Sequence, residues 1–313
     1  MSNHVDTPVL ANPEFAKTRR NMSYVLIALA PTTLVGVYFF GISALLVVLV
    51  SVLSSVAFEW IYQKLAKKPI TINDLSATVT GLLMGLTLPP SIPLWMPVVG
   101  SFVAIIIVKQ LFGGLGKNFL NPALVGRGFL AISYAAPMST GFRYPLTGWL
   151  NVDTVSAATP LLRVNANGVA PVSNDYIMAL FGNIPGSIGE TAAIALLIGG
   201  LFLLITKTIS WHIPVAFIGT TFLMTHLLGE HALYQILLGG LLLGAFFMAT
   251  DPSSSPISPL GKILFGVGAG VLVVFIRLFG GYPEGVAFAI LLMNLVVPLI
   301  DRFIKPRARK VSE

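Results

Sequence analysis

The sequence predicts an all-α polytopic membrane protein with about ten transmembrane helices. Of its 313 residues, 55% are apolar and 10% are charged, and the mean hydropathy is +0.87. A soluble domain carries roughly a quarter charged residues, so this chain has too few charges to cover a water-exposed surface. Regularly spaced apolar stretches and an uneven distribution of basic residues support the same fold class.

Ten apolar stretches follow one another along the chain. Because lipid offers no hydrogen-bond partner to the backbone, each stretch is predicted to be helical. The third and the eighth are short or rich in glycine and end at Leu88-Pro89-Pro90 and at Asp251-Pro252, which indicates broken helices. The fifth is also short. The ten stretches cover 22–39, 41–61, 73–88, 94–112, 121–136, 189–207, 211–228, 232–249, 260–279 and 285–301.

The two halves of the chain resemble each other. GLLMG at 81–85 matches GLLLG at 240–244, and QLFGG at 110–114 matches RLFGG at 277–281. Since each half has five spans, an odd number, the second copy is predicted to be inverted relative to the first. Inverted repeats with broken helices place the working centre between the halves, near the membrane midplane. The alternative is that the GLLxG words supply small residues for helix packing, and both interpretations can hold together.

Basic residues give the direction of the chain across the membrane. With the N-terminus inside, sixteen Lys and Arg residues fall on or near the cytoplasmic side and three (Arg143, Arg163 and Arg277) outside. The net charge of +7 is thereby assigned to membrane topology and not to nucleic-acid binding. The predicted organisation is a cytoplasmic N-terminal segment, a first repeat, an external loop, a second repeat and a basic cytoplasmic tail, at 1–21, 22–136, 137–188, 189–301 and 302–313.

Several classes of function are excluded by composition. The chain has no cysteine, so it contains no disulfide, no thiolate-bound iron–sulfur cluster and no catalytic cysteine. Its four histidines show no paired helical spacing, so we expect no haem or metal site and assign no catalytic residue. An electron-carrying role would therefore require an organic cofactor.

Polar residues at membrane depth are candidates for function. We expect Arg127 to face the interior and to hold an anionic group or pair with a helix C-terminus. Asp251 follows the broken eighth span, a position suited to cation contact or to capping. Glu59 is expected to reach the interface, and Ser76, Thr78 and Thr80 to bond across helices.

The loop 137–188 is rich in Gly, Pro, Asn and Ser and has no long helical period. Loops of this length are usually functional or disordered. It contains DTVSAAT, in which Thr159 follows Asp153 by six residues and precedes Arg163 by four. An arginine near a threonine can stabilise a phosphate attached there. The sequence thus marks Thr159 as a candidate modification site.

The motif Asp153-x-x-Ser156-x-Ala158-Thr159 resembles the acceptor motif of bacterial flavin transferases, which join FMN through its phosphate to the threonine hydroxyl. The whole chain resembles the RnfD/NqrB family. The resemblance also includes SATVTGLLMGLTLPP at 76–90, NPALVGRGFL at 121–130 and MATDPSSSP at 248–256. The family motif has glycine where this chain has Ala157, and a methyl group there restricts positive φ. The SAT at Ser76–Thr78 lacks the preceding Asp and lies in a span.

The resemblance implies a subunit of the Rnf membrane complex, in the cytoplasmic membrane of a bacterium or archaeon. It implies electron relay between ferredoxin and NAD through FMN on Thr159, coupled to Na⁺ or H⁺ movement, with other Rnf subunits and a flavin transferase as partners. Active-site chemistry is not expected of the chain alone. The family scaffold is similar to that of urea channels. The resemblance further implies a noncovalent riboflavin, with Asn118, Asn121 and Arg127 as neighbours.

A second hypothesis comes from another functional class. A small-solute channel or carrier without a redox role fits the inverted repeat and the broken helices equally well. The loop motif around Thr159 separates the two hypotheses, because only the redox protein needs an acceptor for flavin.

Overall fold

The computed structural model describes residues 13–145, 159–161, 164, 170–280 and 285–304. All the regular elements in these ranges are helices, and each of the ten predicted apolar stretches coincides with helical structure. In the described part of the chain, three helices are long and apolar enough to cross a membrane, and five shorter apolar helices accompany them. The chain is accordingly a multi-pass membrane protein. The ends of the predicted terminal segments, 1–12 and 305–313, lie outside the described residues.

The first half begins with α1, Pro13–Leu65, whose helical path is interrupted at Gly41. Gly41 has φ 68° and ψ −152°, a conformation that side chains disfavour, and it separates the first two predicted stretches. A 3₁₀ turn at Ile72–Asp74 leads into α2. The remaining helices of this half are α2 Ser76–Leu86, α3 Trp95–Phe102 with a π-helical continuation Val103–Gln110, α4 Pro122–Ser133 and the short α5 Ala135–Thr140.

In the second half, the sequence predicts that the eighth stretch ends at Asp251-Pro252, and a turn follows Met248 there. The stretch is also interrupted earlier, at Leu238–Gly240, before it resumes at Leu241–Leu243 and continues as a π-helical turn, Gly244–Met248. The helices after the external loop are α6 Ser173–Phe181, α7 Ala193–Ile205, α8 His212–Leu227, α9 Ala232–Leu237, α10 Leu241–Leu243, α11 Pro259–Phe279 and α12 Val286–Phe303.

Helix α6, Ser173–Phe181, lies within 137–188, where the sequence shows no long helical period. Its nine residues are too few to produce a clear sequence period, but local capping supports it: the Asp175 carboxylate accepts from the Val172 N–H at 2.8 Å. The Tyr176 ring packs edge-on against Tyr234 of α9 at 5.2 Å between centroids. A helix of nine residues is marginally stable by itself, so contacts with α7 and α9 stabilise α6.

Small residues bring the long helices together. A Cβ at Gly81 of α2 would lie 2.7 Å from the Ser51 carbonyl oxygen of α1, so these backbones touch directly. The same close approach joins α11 to α8, where a Cβ at Gly266 would lie 2.9 Å from the Ile213 carbonyl oxygen. The GLLxG words differ in position: Gly81 lies inside α2, whereas Gly240 immediately precedes α10. Helix packing therefore explains Gly81 without reference to a repeat.

Candidate functional site

Thr159 lies against the broken eighth span. Its side chain is 6% exposed, and its hydroxyl is buried without a hydrogen-bond partner among the described residues. The hydroxyl lines a cavity of about 10 Å³, here called the Thr159 cavity. Three chain segments form its walls: Thr159–Leu161, residues around the turn before α7, and the break before α10. The cavity-lining residues are Thr159, Pro160, Leu161, Ile184, Pro185, Gly186, Glu190, Thr191, Leu238 and Gly239.

Glu190 and Arg127 form a buried ion pair beside this cavity. Arg127 Nη2 lies 3.7 Å from Glu190 Oε1, and both side chains are shielded from solvent. Arg127 Nε also donates to the carbonyl oxygen of Thr87, the residue that ends α2, at 2.9 Å. Pairing with a helix C-terminus is one of the two roles that the sequence leaves open for Arg127. Glu190 is not among the residues predicted from the sequence, although an acidic residue at the start of an apolar stretch is a detectable signal.

The break itself is held by Arg277. Its guanidinium donates to the carbonyl oxygens of Gln235 at 2.6 Å, Leu238 at 2.9 Å and Gly239 at 3.1 Å. These carbonyls would otherwise be left without partners where the helix ends. The charge count assigns Arg277 to the external side, but the structure buries it in the last turn of α11. A charged side chain that caps a broken helix needs no access to water.

A second and larger cavity, of about 560 Å³, lies among α1, α2, α7, α10 and the turn after α10. This volume is in the range of cavities that hold cofactor-sized ligands. Phe246 and Phe247 supply aromatic lining, and the polar side chains come from several separate segments. Those polar residues are Thr18, Asn21, Ser76, Thr80, Lys109, Asn118, Asn121, Thr208, Thr250, Asp251, Ser253, Ser255 and Asp301.

Asn118 and Asn121 both line the larger cavity, but their side-chain amides make different hydrogen bonds. Asn121 caps α4: its Oδ1 accepts from the N–H groups of Ala123 and Leu124, and its Nδ2 donates to the Met248 carbonyl at 3.1 Å. Asn118 Nδ2 donates to the Leu120 carbonyl, while Asn118 Oδ1 is buried with no partner in the described part of the chain. Asn118 is thus the amide that can accept from a ligand. Arg127 lies away from both, beside the Thr159 cavity.

Lys109 joins a buried polar network at one edge of the larger cavity. Its Nζ lies 2.7 Å from Glu59 Oε2 and 2.6 Å from Ser76 Oγ, and Lys109 and Glu59 are each 1% exposed. Gln110 donates to the other Glu59 oxygen at 3.0 Å. The expectation that Glu59 reaches the interface is wrong, because a lysine fifty residues later in the chain neutralises it in the interior. Ser76 does bond across helices, whereas the Thr80 hydroxyl donates to the Ser76 carbonyl within α2.

Asp251 occupies the turn after α10 and lines the larger cavity. Ser254 Oγ donates to Asp251 Oδ2 at 2.9 Å, so the carboxylate also closes its own turn. Burial raises the pKa of the Asp251 carboxyl, and the hydrogen bond from Ser254 opposes that rise. In the described ranges, no three or more His, Cys, Asp or Glu side chains are grouped as a metal site.

Part of the predicted motif has no described position. Asp153, Ser156, Ala157, Ala158 and Arg163 lie outside the described residues, so Thr159 is the motif residue whose surroundings are known.

Comparison with known proteins adds evidence of ancestry. Residues 9–310 match the model of the NQR2, RnfD, RnfE family. The chain is 46% identical to the D subunit of the Na⁺-translocating ferredoxin:NAD⁺ oxidoreductase complex of Acetobacterium woodii, covering 99% of this chain and 98% of the relative. It is 44% identical to the D subunit of the proton-translocating ferredoxin:NAD⁺ oxidoreductase complex of Clostridium ljungdahlii, covering 90% and 88%.

A third relative is more distant in sequence but similarly complete. The D subunit of the ion-translocating oxidoreductase complex of Shewanella amazonensis is 40% identical, with 94% of each chain covered. The matches therefore span the helices of both halves and the loop between them. The chain belongs to the NQR2, RnfD, RnfE family.

Proposed function

We propose that this chain is the membrane protein that relays electrons through covalently attached FMN in an ion-translocating ferredoxin:NAD⁺ oxidoreductase. The observation that carries the proposal is the motif Asp153-x-x-Ser156-x-Ala158-Thr159, on a chain 46% identical to the D subunit of such a complex. The relatives from Acetobacterium woodii and Clostridium ljungdahlii are named for different ions, so the proposal includes Na⁺ and H⁺.

Thr159 is the proposed acceptor of FMN. A phosphoester on its hydroxyl keeps the flavin attached through its redox cycle, and a flavin converts between one-electron and two-electron steps. The chain has no cysteine for an iron–sulfur cluster, so an organic carrier suits its composition. The hydroxyl is chemically suitable, but the Thr159 cavity, at about 10 Å³, is far too small to enclose a flavin.

The larger cavity is the proposed site of a noncovalent riboflavin. Its volume of about 560 Å³ suits a tricyclic ring system, and Phe246 and Phe247 offer aromatic surface. Asn118 Oδ1 would accept a hydrogen bond from the ligand, and Asn121 would shape the wall while capping α4. The chemistry that riboflavin supplies would be a further electron-carrying step.

We also infer that the two five-span halves are inverted copies on a urea-channel-like scaffold. Helices α2 and α10 each follow a residue in the left-handed region, Leu75 at φ 65° and Gly240 at φ 69°. Near each start lies a buried carboxylate paired with a base, Glu59 with Lys109 and Glu190 with Arg127. The two starts are built alike, although the GLLxG words align Gly240 with Gly81 and not with Leu75.

The proposed orientation has both termini in the cytoplasm. The larger cavity is lined by the start of α1 and by the segments around Asn118, Asp251 and Asp301, all on the predicted cytoplasmic side. Except for Leu238 and Gly239 of the eighth stretch, residues of the Thr159 cavity come from segments at or next to the external side predicted by the charge pattern. The chain would therefore sit in the cytoplasmic membrane beside other subunits of the complex, and a flavin transferase outside the membrane would load Thr159.

Asp251 is the proposed ion contact of this chain. Its carboxylate lines the larger cavity and is held by Ser254, and Asp301 lines the same space. Carboxylate and hydroxyl oxygens are ligands that hard cations prefer. This assignment makes the cytoplasmic entrance of the chain selective for cations.

In-gel fluorescence tests the proposal. The chain, co-expressed with a flavin transferase and run on a denaturing gel, should fluoresce under ultraviolet light because the flavin is covalently held. Thr159→Ala should abolish the fluorescent band, whereas Thr78→Ala, which removes the other Ser-Ala-Thr acceptor, should leave it unchanged. A dark wild-type band would remove the main support for the redox role and leave the channel or carrier hypothesis. Fluorescence that survives Thr159→Ala would assign the flavin to another residue.

A further inference from the structure

The acceptor hydroxyl is enclosed where the structure holds it. Thr159 is 6% exposed, and the cavity around its hydroxyl has a volume of about 10 Å³. That volume holds about one water molecule. A phosphate on this oxygen would overlap the walls formed by Ile184–Gly186, Glu190 and Thr191. A phosphoester cannot form while Thr159 remains in this position.

Leu161 anchors the same segment to the break in the eighth span. It is 1% exposed, and a Cβ at Gly239 would lie 2.9 Å from Leu161 Cδ2. Gly239 thus leaves room for the leucine because it has no side chain, and its φ of 66° also favours glycine. The contact between Leu161 and Gly239 is apolar, and the hydrogen bonds described at Gly239 come from Arg277.

The surface beneath Leu161 is rigidly held. Arg277 binds the carbonyls of Gln235, Leu238 and Gly239, and Glu190 Oε1 would lie 2.5 Å from a Cβ at Gly240. The break before α10 is therefore fixed by the Arg277 hydrogen bonds, and the Glu190 side chain packs against Gly240. Movement that exposes Thr159 is assigned to the segment Thr159–Leu161 and not to the break.

We infer that the segment Thr159–Leu161 has two positions: docked in the unloaded chain, as the structure holds it, and released when the hydroxyl is modified. The inference rests on the proposed function, since it concerns loading of the proposed acceptor. Leu161 then controls how readily a flavin transferase reaches Thr159. After loading, the phosphate prevents the return of Thr159 to its cavity, and the break at Gly239 loses its leucine cover.

Cysteine labelling tests the docked position without any flavin. Because the chain has no native cysteine, Thr159→Cys introduces a single thiol into this chain within the purified detergent-solubilised complex. We expect a maleimide to react with it about tenfold more slowly than with the same variant unfolded in denaturant, because a buried group reacts through local opening. Val172→Cys, at a residue that is 63% exposed, serves as the exposed reference.

Leu161 variants test its control of opening and loading. Leu161→Ala should speed labelling of Thr159→Cys several-fold, whereas the volume-conserving Leu161→Met should not. With Thr159 intact, Leu161→Ala should likewise raise the initial rate of flavin attachment above that of Leu161→Met. An unchanged Val172→Cys rate in the Leu161→Ala background would show that the fold is retained.

The outcomes separate this inference from the proposed function. The docked position would be overturned if Thr159→Cys in the folded complex reacts with maleimide as fast as in denaturant. It would also be overturned if Leu161→Ala does not raise that labelling rate. Faster labelling combined with slower flavin attachment would overturn the control by Leu161. Protected labelling in a chain that never acquires flavin would contradict the proposed function and leave the docked position intact.

Discussion

Lys109 illustrates how a single residue acts inside this membrane protein. Its ammonium group contacts Glu59 Oε2 at 2.7 Å and Ser76 Oγ at 2.6 Å, with both charged side chains 1% exposed. The pair joins the long helix α1 to the π-helical end of the α3 span and to the start of α2. Removing one partner of a buried pair leaves an uncompensated charge, which costs far more than the pair contributes.

We predict that Lys109→Met lowers the free energy of unfolding by about 3–5 kcal/mol, because Glu59 is left buried without its counter-charge. Equilibrium unfolding of the detergent-purified protein measures the loss. Lys109→Met combined with Glu59→Gln should recover part of it. Exposed Lys117→Met is the matched control and should change stability by less than about 0.5 kcal/mol. Equal stability of the Lys109 and Lys117 variants would contradict the buried pair.

Asp251 gives a pH-dependent prediction. Burial raises the pKa of its carboxyl, so the carboxylate is lost at a higher pH than in an exposed aspartate as the pH falls. If Asp251 contacts the ion, the Na⁺ concentration needed for ferredoxin-to-NAD⁺ electron transfer by the complex should rise as the pH falls through that raised pKa. At higher pH, Asp251→Asn should raise the required Na⁺ concentration about tenfold, which corresponds to ~1.4 kcal/mol. The variant should also remove the pH dependence of that concentration. Asp175→Asn, which alters only the cap of α6, should change neither the required Na⁺ concentration nor its pH dependence. If Asp251→Asn behaves like the wild type, Asp251 does not contact the ion.

At the scale of elements, the breaks are the informative features. Apolar stretches predict all ten helical regions, and Leu88-Pro89-Pro90 and Asp251-Pro252 predict where the third and eighth stretches end. The interruption at Leu238–Gly240 inside the eighth stretch is not among these predictions. The partners that stabilise the breaks could not be predicted. Lys109 and Glu59 are fifty residues apart, and Arg127 and Glu190 are farther apart still, so no local pattern connects them. The burial of Arg277 could not be predicted for the same reason, because its carbonyl partners lie at a distant break in the chain.

Gly240 offers a test of the break before α10. Its φ of 69° disfavours a side chain, and a Cβ there would lie 2.5 Å from Glu190 Oε1. We predict that Gly240→Ala lowers the free energy of unfolding by more than about 1–2 kcal/mol, the cost of the backbone conformation alone. Gly219→Ala in α8, where a Cβ meets no atom within 4 Å, should be neutral or stabilising by up to about 1 kcal/mol. Unfolding midpoints in detergent compare the two, and a neutral Gly240→Ala would show that the break does not need glycine.

In the molecule as a whole, polar side chains line two separate cavities. The larger one collects Lys109, Asn118, Asp251 and Asp301, and the Thr159 cavity collects Thr159, Glu190 and Thr191. The sidedness predicted from basic residues separates the same two groups of segments. Sequence motif and sidedness together select Thr159, but the sequence alone does not indicate that its hydroxyl is buried, because burial depends on Leu238 and Gly239 far along the chain.

The proposed orientation is tested by single cysteines on exposed residues. Val172 and Ile257 are 63% and 74% exposed and lie on the predicted external and cytoplasmic sides. We predict that a membrane-impermeant maleimide labels Val172→Cys in intact cells and labels Ile257→Cys only after permeabilisation. The absence of native cysteine removes any background from this chain. The reverse pattern would invert the topology and put Thr159 out of reach of an external transferase.

The proposed redox role depends on covalent FMN at Thr159. Mass spectrometry of the intact chain purified from cells with a flavin transferase tests it most directly, with fragmentation of the peptide that contains residues 151–163. We predict a mass increase of one FMN less one water, located on Thr159 and lost in Thr159→Ala. An unmodified intact mass from such cells, or a modification located on another residue, would contradict it.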